Sequence, residues 1–156
     1  MTMLRALGLM SGTSMDGVDV ALIETDGERI AAFGAVGYRP YGESERDVLR
    51  NSLRDAVAMT ARDQRPGVLA EAERLVTTAH AEAVERFLAD NGLTPRDIDI
   101  VGFHGQTVLH RPAEQLTVQI GDGNALAARL RIPVVHDLRA ADVAARVRPY
   151  GDVLEV

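Results

Sequence analysis

The sequence has no cysteine, no tryptophan and, among its 17 basic residues, no lysine. The lack of cysteine removes disulfides, thiolate metal sites and cysteine nucleophiles together. The lack of lysine excludes more. A Walker-type phosphate loop ends in Gly-Lys-Ser/Thr and a protein kinase holds its nucleotide with a strand lysine, so neither can be built from this chain. Any phosphate bound here must be held by backbone N–H groups, hydroxyls, arginine or a metal ion. Basic charge is also scarce. The formal net charge of -6 gives no general attraction to nucleic acid, and no basic stripe compensates, so no nucleic-acid partner is expected. No run approaches the roughly 18–20 apolar residues that span a bilayer, and the N-terminal segment is too short for a signal peptide, so no membrane partner is expected and the cytoplasm is the expected location. What remains is a chain of 156 residues with 46% hydrophobic content, enough for one core and one domain.

Residues 4–10 are apolar and short, residues 11–17 are turn formers, and residues 18–25 are apolar again, which predicts strand, glycine-rich turn, strand. Asp26-Gly27 marks a hairpin, and Ile30, Ala31, Phe33, Ala35 and Val36 predict a third antiparallel strand. The period then becomes helical. Val48, Leu49, Leu53, Ala56 and Val57 share a face within residues 41–59, with Ser44 placed as a cap. A longer helix runs from Pro66, at a first-turn position, to Asn91-Gly92, with Gly92 closing it and Glu71, Glu73, Arg74, Glu82, Glu85 and Arg86 mostly solvated. After a short connector, Ile98, Ile100, Val101 and Phe103 make a strand ending at His104. Residues 116–120 make another, residues 124–130 a short helix, and residues 132–135 a buried strand ending at His136-Asp137. The pattern is an α/β fold with a mixed sheet, antiparallel hairpins first and flanking helices, its polar and glycine-rich residues gathered beyond the strand ends along one sheet edge.

Gly12-Thr13-Ser14-Met15-Asp16-Gly17-Val18-Asp19 is the most informative segment. Two glycines let backbone N–H groups approach an anion closely, and two hydroxyls and carboxylates add donors and ligands for a phosphate with its magnesium. An ordinary hairpin turn would use the same residues. A nucleophile elbow would not, because Asp16 stands where Gly-x-Ser-x-Gly needs glycine. His104, Gln106 and Thr107 bring an imidazole, an amide and a hydroxyl to a strand end, suited either to sugar hydroxyls or to a structural role. His104, His110 and His136 lack zinc-ligand spacing, so no resident metal is expected beyond magnesium carried by a nucleotide. His80, inside the long helix, reads as structural. Residues 119–124 form a glycine turn opening a helix, which either faces an anion or is capped by Asp122 or Asn124. Asp137, Arg139 and Asp142 offer two carboxylates and a guanidinium after a strand, as a general base or as a salt-bridging turn.

Four of these segments in order (residues 10–19, 102–107, 119–124 and 132–145) resemble the anhydro-N-acetylmuramic acid kinase family. The resemblance implies an actin-like ATPase (ribonuclease H-like) lobe over residues 1–145. It also implies ATP-dependent phosphorylation of the 6-oxygen of 1,6-anhydro-N-acetylmuramic acid, with water opening the anhydro bridge, as in peptidoglycan recycling. By the family's motif, residues 12–19 would hold the phosphates of ATP with Mg2+. Asp142 would activate the water, and His104, Gln106 and Gln119 would touch the sugar. Complete members would form homodimers. Residues 146–156 bear no likeness to the family's continuation, a glycine-rich stretch and a second lobe, which implies a divergent tail with that lobe absent and a chain inactive alone. The other reading is a non-catalytic nucleotide- or carbohydrate-binding module.

Overall fold

The computed structural model describes residues 2–145, so the segment expected to diverge, residues 146–156, lies outside the described residues. Strands β1 (Leu4–Ser11), β2 (Gly17–Thr25) and β3 (Ile30–Pro40) form an antiparallel meander, as the turn signals imply. The connection from β2 to β3 is closed by local side chains. The Thr25 hydroxyl donates to the Arg29 carbonyl (2.6 Å), and the Asp26 carboxylate accepts the N–H groups of Arg29 (2.8 Å) and Glu28 (3.0 Å), which holds its pKa below the ordinary value. Helices α1 (Glu43–Ala56) and α2 (Leu69–Asp90) follow, then β4 (Ile100–Phe103), a ribbon of β5 (Gln106–Arg111) and β6 (Leu116–Ile120), α3 (Gly123–Leu130), β7 (Val134–His136) and α4 (Leu138–Ala144).

The main sheet has the order β3-β2-β1-β4-β7, with β1, β4 and β7 mutually parallel; β5 and β6 pair apart from it. Parallel neighbours need long crossovers. Here α1 and α2 carry the chain from the meander to β4, and the β5–β6 ribbon with α3 carries it to β7. Both long connections return the chain so that β1, β4 and β7 end at one edge. The core lies on a single face of the sheet. Leu7, Leu9, Val18, Val20, Val101 and Phe103 meet the α2 stripe of Ala72, Val76, Ala79, Ala83, Val84 and Phe87, whose three- and four-residue spacing puts them on one side of the helix. His80 sits in that stripe, fully buried, its Nδ1 donating to the Val76 carbonyl (2.7 Å) and its ring edge-on to Phe103.

Several local expectations need correction. Gly42, not Ser44, caps α1, because the Glu45 carboxylate reaches back to the Gly42 N–H (2.8 Å). Pro66 precedes α2 rather than opening it, since Gly67 at φ +58° turns the chain first and the Asp55 carboxylate takes up the Val68 N–H (2.9 Å). Glu73, Glu82 and Glu85 are not merely solvated. They pair with Arg65, Arg39 and Arg129 and so tie α2 to the preceding loop, β3 and α3. β7 is partly open, with Val135 39% exposed, because among the described residues no layer lies over its outer face. Gln106–Arg111 is a strand, hidden in the sequence by its polar ends.

Candidate active site at the carboxyl edge of the sheet

The parallel register of β1, β4 and β7 brings their last residues to one edge, where Ser11 runs into the turn of residues 12–16, Phe103 into His104, and His136 into Asp137. Strand carboxyl ends are where open α/β sheets place ligands. Within the turn, the Met15 N–H donates to the Gly12 carbonyl (3.1 Å), with Met15 left-handed (φ 55°) and its side chain buried. Gly17 and Val18 are also buried. At Gly17 a Cβ would lie 2.5 Å from the Arg39 carbonyl oxygen, so close approach of β3 requires glycine. Thr13, Ser14, Asp16 and Asp19 are exposed, Gly12 is half-buried, and the Thr13 and Ser14 hydroxyls have no partner among the described residues. Residues 12–19 therefore divide into an inward set that fixes the turn and an outward polar set available to a ligand.

Gln106 belongs to the inward side. It is fully buried under the turn, where its Oε1 accepts from the Ser11 hydroxyl (2.5 Å) and its Nε2 donates to the Gly12 carbonyl (3.3 Å). The Ser11 hydroxyl also meets the Tyr41 hydroxyl (3.1 Å), and the Tyr41 N–H donates to the Asp16 carbonyl (2.8 Å). Burial pushes the Tyr41 hydroxyl up from its ordinary pKa. Both ends of the turn are thus pinned from below. This role had no signal in the sequence, because Ser11, Tyr41 and Gln106 are far apart along the chain.

His104 is exposed at the same edge, its Nδ1 3.2 Å from the Gly105 carbonyl. Gln119 is 9% exposed, with Nε2 donating to the Thr117 (2.9 Å) and Thr107 (3.2 Å) hydroxyls and Oε1 buried without a partner. Both border a polar pocket of about 210 Å³ shared with Arg62, Glu73, His136 and Asp137. Arg62 grips Asp137 through both carboxylate oxygens (2.5 and 2.6 Å), so the salt bridge of this region crosses from the α1–α2 loop to the end of β7 rather than joining Asp137 to Arg139. Asp122 takes the capping role at α3, accepting the Ala125 N–H (2.9 Å). Asp142 is half-buried on α4. It stands three and four residues after Arg139 and Leu138, hence on the same side of the helix, and those two line a groove that also reaches Met10 and Asp19 beside the turn.

A sequence model of anhydro-N-acetylmuramic acid kinase matches residues 4–148. The chain belongs to the anhydro-N-acetylmuramic acid kinase family. Curated relatives carrying that name agree. The relative from Rhodopseudomonas palustris (strain ATCC BAA-98 / CGA009) is 71% identical over 143 residues, covering 92% of this chain and 39% of the relative. That from Bradyrhizobium diazoefficiens is 69% identical with the same coverage, and that from Methylorubrum populi is 62% identical over 154 residues, covering 92% of this chain and 41% of the relative. This chain therefore spans about two-fifths of the length of the family members it matches. The residues matched by the family form a mixed five-stranded sheet with flanking helices, an α/β arrangement. Among the described residues no helix is long and apolar enough to cross a membrane.

Proposed function

We propose that this lobe is the phosphate-binding half of a two-lobed, actin-like (ribonuclease H-like) kinase. Its reaction is the ATP-dependent phosphorylation of the 6-oxygen of 1,6-anhydro-N-acetylmuramic acid, coupled to addition of water across the anhydro bridge. The substrates are ATP and the anhydro amino sugar, and the setting is cytoplasmic recycling of peptidoglycan. The observation that carries this reading is the convergence of the rigidly pinned turn of residues 12–16, His104 and the start of α4 on one sheet edge.

Phosphoryl transfer asks mainly for positioning and charge stabilisation. The turn meets that demand without a lysine. The outward Thr13 and Ser14 hydroxyls and neighbouring main-chain N–H groups would receive the phosphates, while Met15, Gly17, Val18 and Gln106 hold the turn from inside. Magnesium would come with the nucleotide. Such an ion keeps phosphate oxygens and waters and needs only one or two carboxylates, and the exposed Asp16 and Asp19 fit that limited demand. His104 and Gln119 would contact the sugar. The Gln119 side chain is held by its Nε2, which donates to the Thr117 and Thr107 hydroxyls, and it borders both the polar pocket and the groove at this edge. Gln106 would act one layer below, on the turn itself. Asp142 would take the proton of the attacking water as its oxygen bonds to the anomeric carbon and the bridge oxygen leaves that carbon to accept the phosphoryl group.

The test uses a full-length chimera in which residues 1–145 replace the matched part of the Rhodopseudomonas palustris relative. Asp142→Asn in that chimera should lower sugar-phosphate formation by about 10²–10⁴-fold; near-normal turnover would remove Asp142 from the role. The 156-residue chain alone, which spans two-fifths of its relatives, should make no sugar phosphate from ATP and the anhydro sugar.

A further inference from the structure

Asp137 stands where β7 hands the chain to α4, and it holds that position at a local disadvantage. Its backbone is left-handed (φ 63°, ψ 24°), a conformation uncommon outside glycine. It is the N-cap of α4, yet its carboxylate accepts none of the helix N–H groups, the usual task of an aspartate there. The carboxylate goes to Arg62 instead, both oxygens accepting from Nη2 (2.5 and 2.6 Å). An unfavourable backbone and a forgone cap are not recovered within the segment itself, and such features collect where function fixes geometry.

Little else holds α4. Seven residues are marginal as an isolated helix, and of these only Ala140 is buried. Among the described residues no other side-chain hydrogen bond reaches this junction or helix from another element. Arg62 itself rests on a frame that does not include α4. Its Nε donates to the Thr117 carbonyl in β6 (3.3 Å), and its own carbonyl accepts from Arg65 (2.7 Å), whose guanidinium pairs with Glu73 of α2 (2.8 Å). The end of β7 is steadied from the side as well, because the His136 ring packs against the start of α3 in space that only a glycine, Gly123, leaves free.

We propose that Arg62 is a positioning residue for the reaction: through Asp137 it sets the direction in which α4 leaves the sheet, and with it the place of Asp142. The proposal rests on the reading of Asp142 as the base. Asp142 comes five residues after Asp137, about 7.5 Å along the helix, so a swing of roughly 10° at the junction moves it by about 1 Å. Misplacement on that scale can lower a rate by about 10²-fold. An ion pair whose side chains are 44% and 40% exposed adds little to stability, so its effect lies in direction more than in holding the fold together.

Steady-state kinetics of the full-length chimera and amide exchange of the 156-residue chain test this together. Arg62→Gln and Asp137→Asn should each lower kcat by about 10–10²-fold. KM for ATP should stay within about twofold, because Gln106 and Tyr41 hold the turn separately. Asparagine accepts the left-handed conformation and caps helices well, so Asp137→Asn removes the grip of Arg62 without harming α4 itself. In a chimera already carrying Asp142→Asn, Arg62→Gln should add less than about twofold, since no base is left to misplace. In the chain without ligands, Arg62→Gln should speed exchange at Ala141 and Ala145, whose N–H groups bond within α4, by about fivefold or more, with α2 unchanged. Normal kcat in Arg62→Gln and Asp137→Asn beside an inactive Asp142→Asn would overturn the positioning role alone, whereas an active Asp142→Asn would remove the base and the proposal with it. Unchanged exchange in α4, an equal kcat loss in the Asp142→Asn background, or a loss accompanied by a raised KM for ATP and a general fall in melting temperature would also overturn it.

Discussion

Replacing His80 by leucine should remove much of the protein's sensitivity to mild acid. His80 is fully buried between α2 and Phe103; its Nδ1 donates to the Val76 carbonyl, and its Nε2 has no partner. Burial disfavours the imidazolium and takes the pKa down to about 4, with the charges of His104 and Arg39 adding to the same direction and the Val76 carbonyl opposing it. The folded value lies below the unfolded one, so between the two pKa values the unfolded chain binds the proton that the folded chain refuses. Stability is then complete above the unfolded value near 6.5 and declines as the pH falls toward 4. At about pH 5 the unfolded histidine is largely protonated and the folded one is not, so wild type should lose about 2 kcal/mol relative to about pH 7.5 from this residue alone. Leucine fills a similar space and has no proton to gain, so its cost at neutral pH should stay under about 1.5 kcal/mol. The assay is urea denaturation of both proteins at the two pH values, where all other titrating groups cancel in the difference. Equal pH dependence in wild type and His80→Leu would refute the reasoning, as would a wild type that gains stability on acidification.

Two further substitutions probe the turn. Gln106→Leu leaves the Ser11 hydroxyl without its buried acceptor and the Gly12 carbonyl without a side-chain donor, so unfolding free energy should fall by roughly 1–3 kcal/mol; a loss below about 0.5 kcal/mol in denaturant titration would contradict the pinning of the turn. Gly17→Ala puts a methyl group 2.5 Å from the Arg39 carbonyl oxygen and 2.6 Å from the Tyr38 ring. Backbone cannot swing aside as a side chain can, so the cost should reach at least about 2 kcal/mol, and an unchanged melting temperature would show that β3 yields freely.

The meander and α2 were legible in the sequence because their signals are local: Asp26-Gly27 closes its own loop, and the stripe from Ala72 to Phe87 repeats at the helical period. β5 was not legible. Gln106 and Thr107 at one end and His110 and Arg111 at the other leave only Val108 and Leu109 as apolar residues, and strand character there comes from pairing with β6. The residue types of the turn could be read directly, but their division into inward and outward sets could not. Whether Gln106 faces a ligand or the underside of Gly12 depends on where β5 starts relative to β1, a long-range matter of topology. Pairing of Asp137 with Arg62 instead of Arg139 has the same origin, since the α1–α2 loop reaches the end of β7 only in the folded chain.

Nuclear magnetic resonance of the amide-labelled chain, titrated with magnesium ATP into the millimolar range, tests the nucleotide-binding claim at its source. The largest shifts should fall on the main-chain N–H groups of Gly12, Thr13, Ser14 and Asp16, with smaller ones at His104 and the first turn of α4. Shifts confined to other parts of the sheet, with the turn unmoved, would contradict the account.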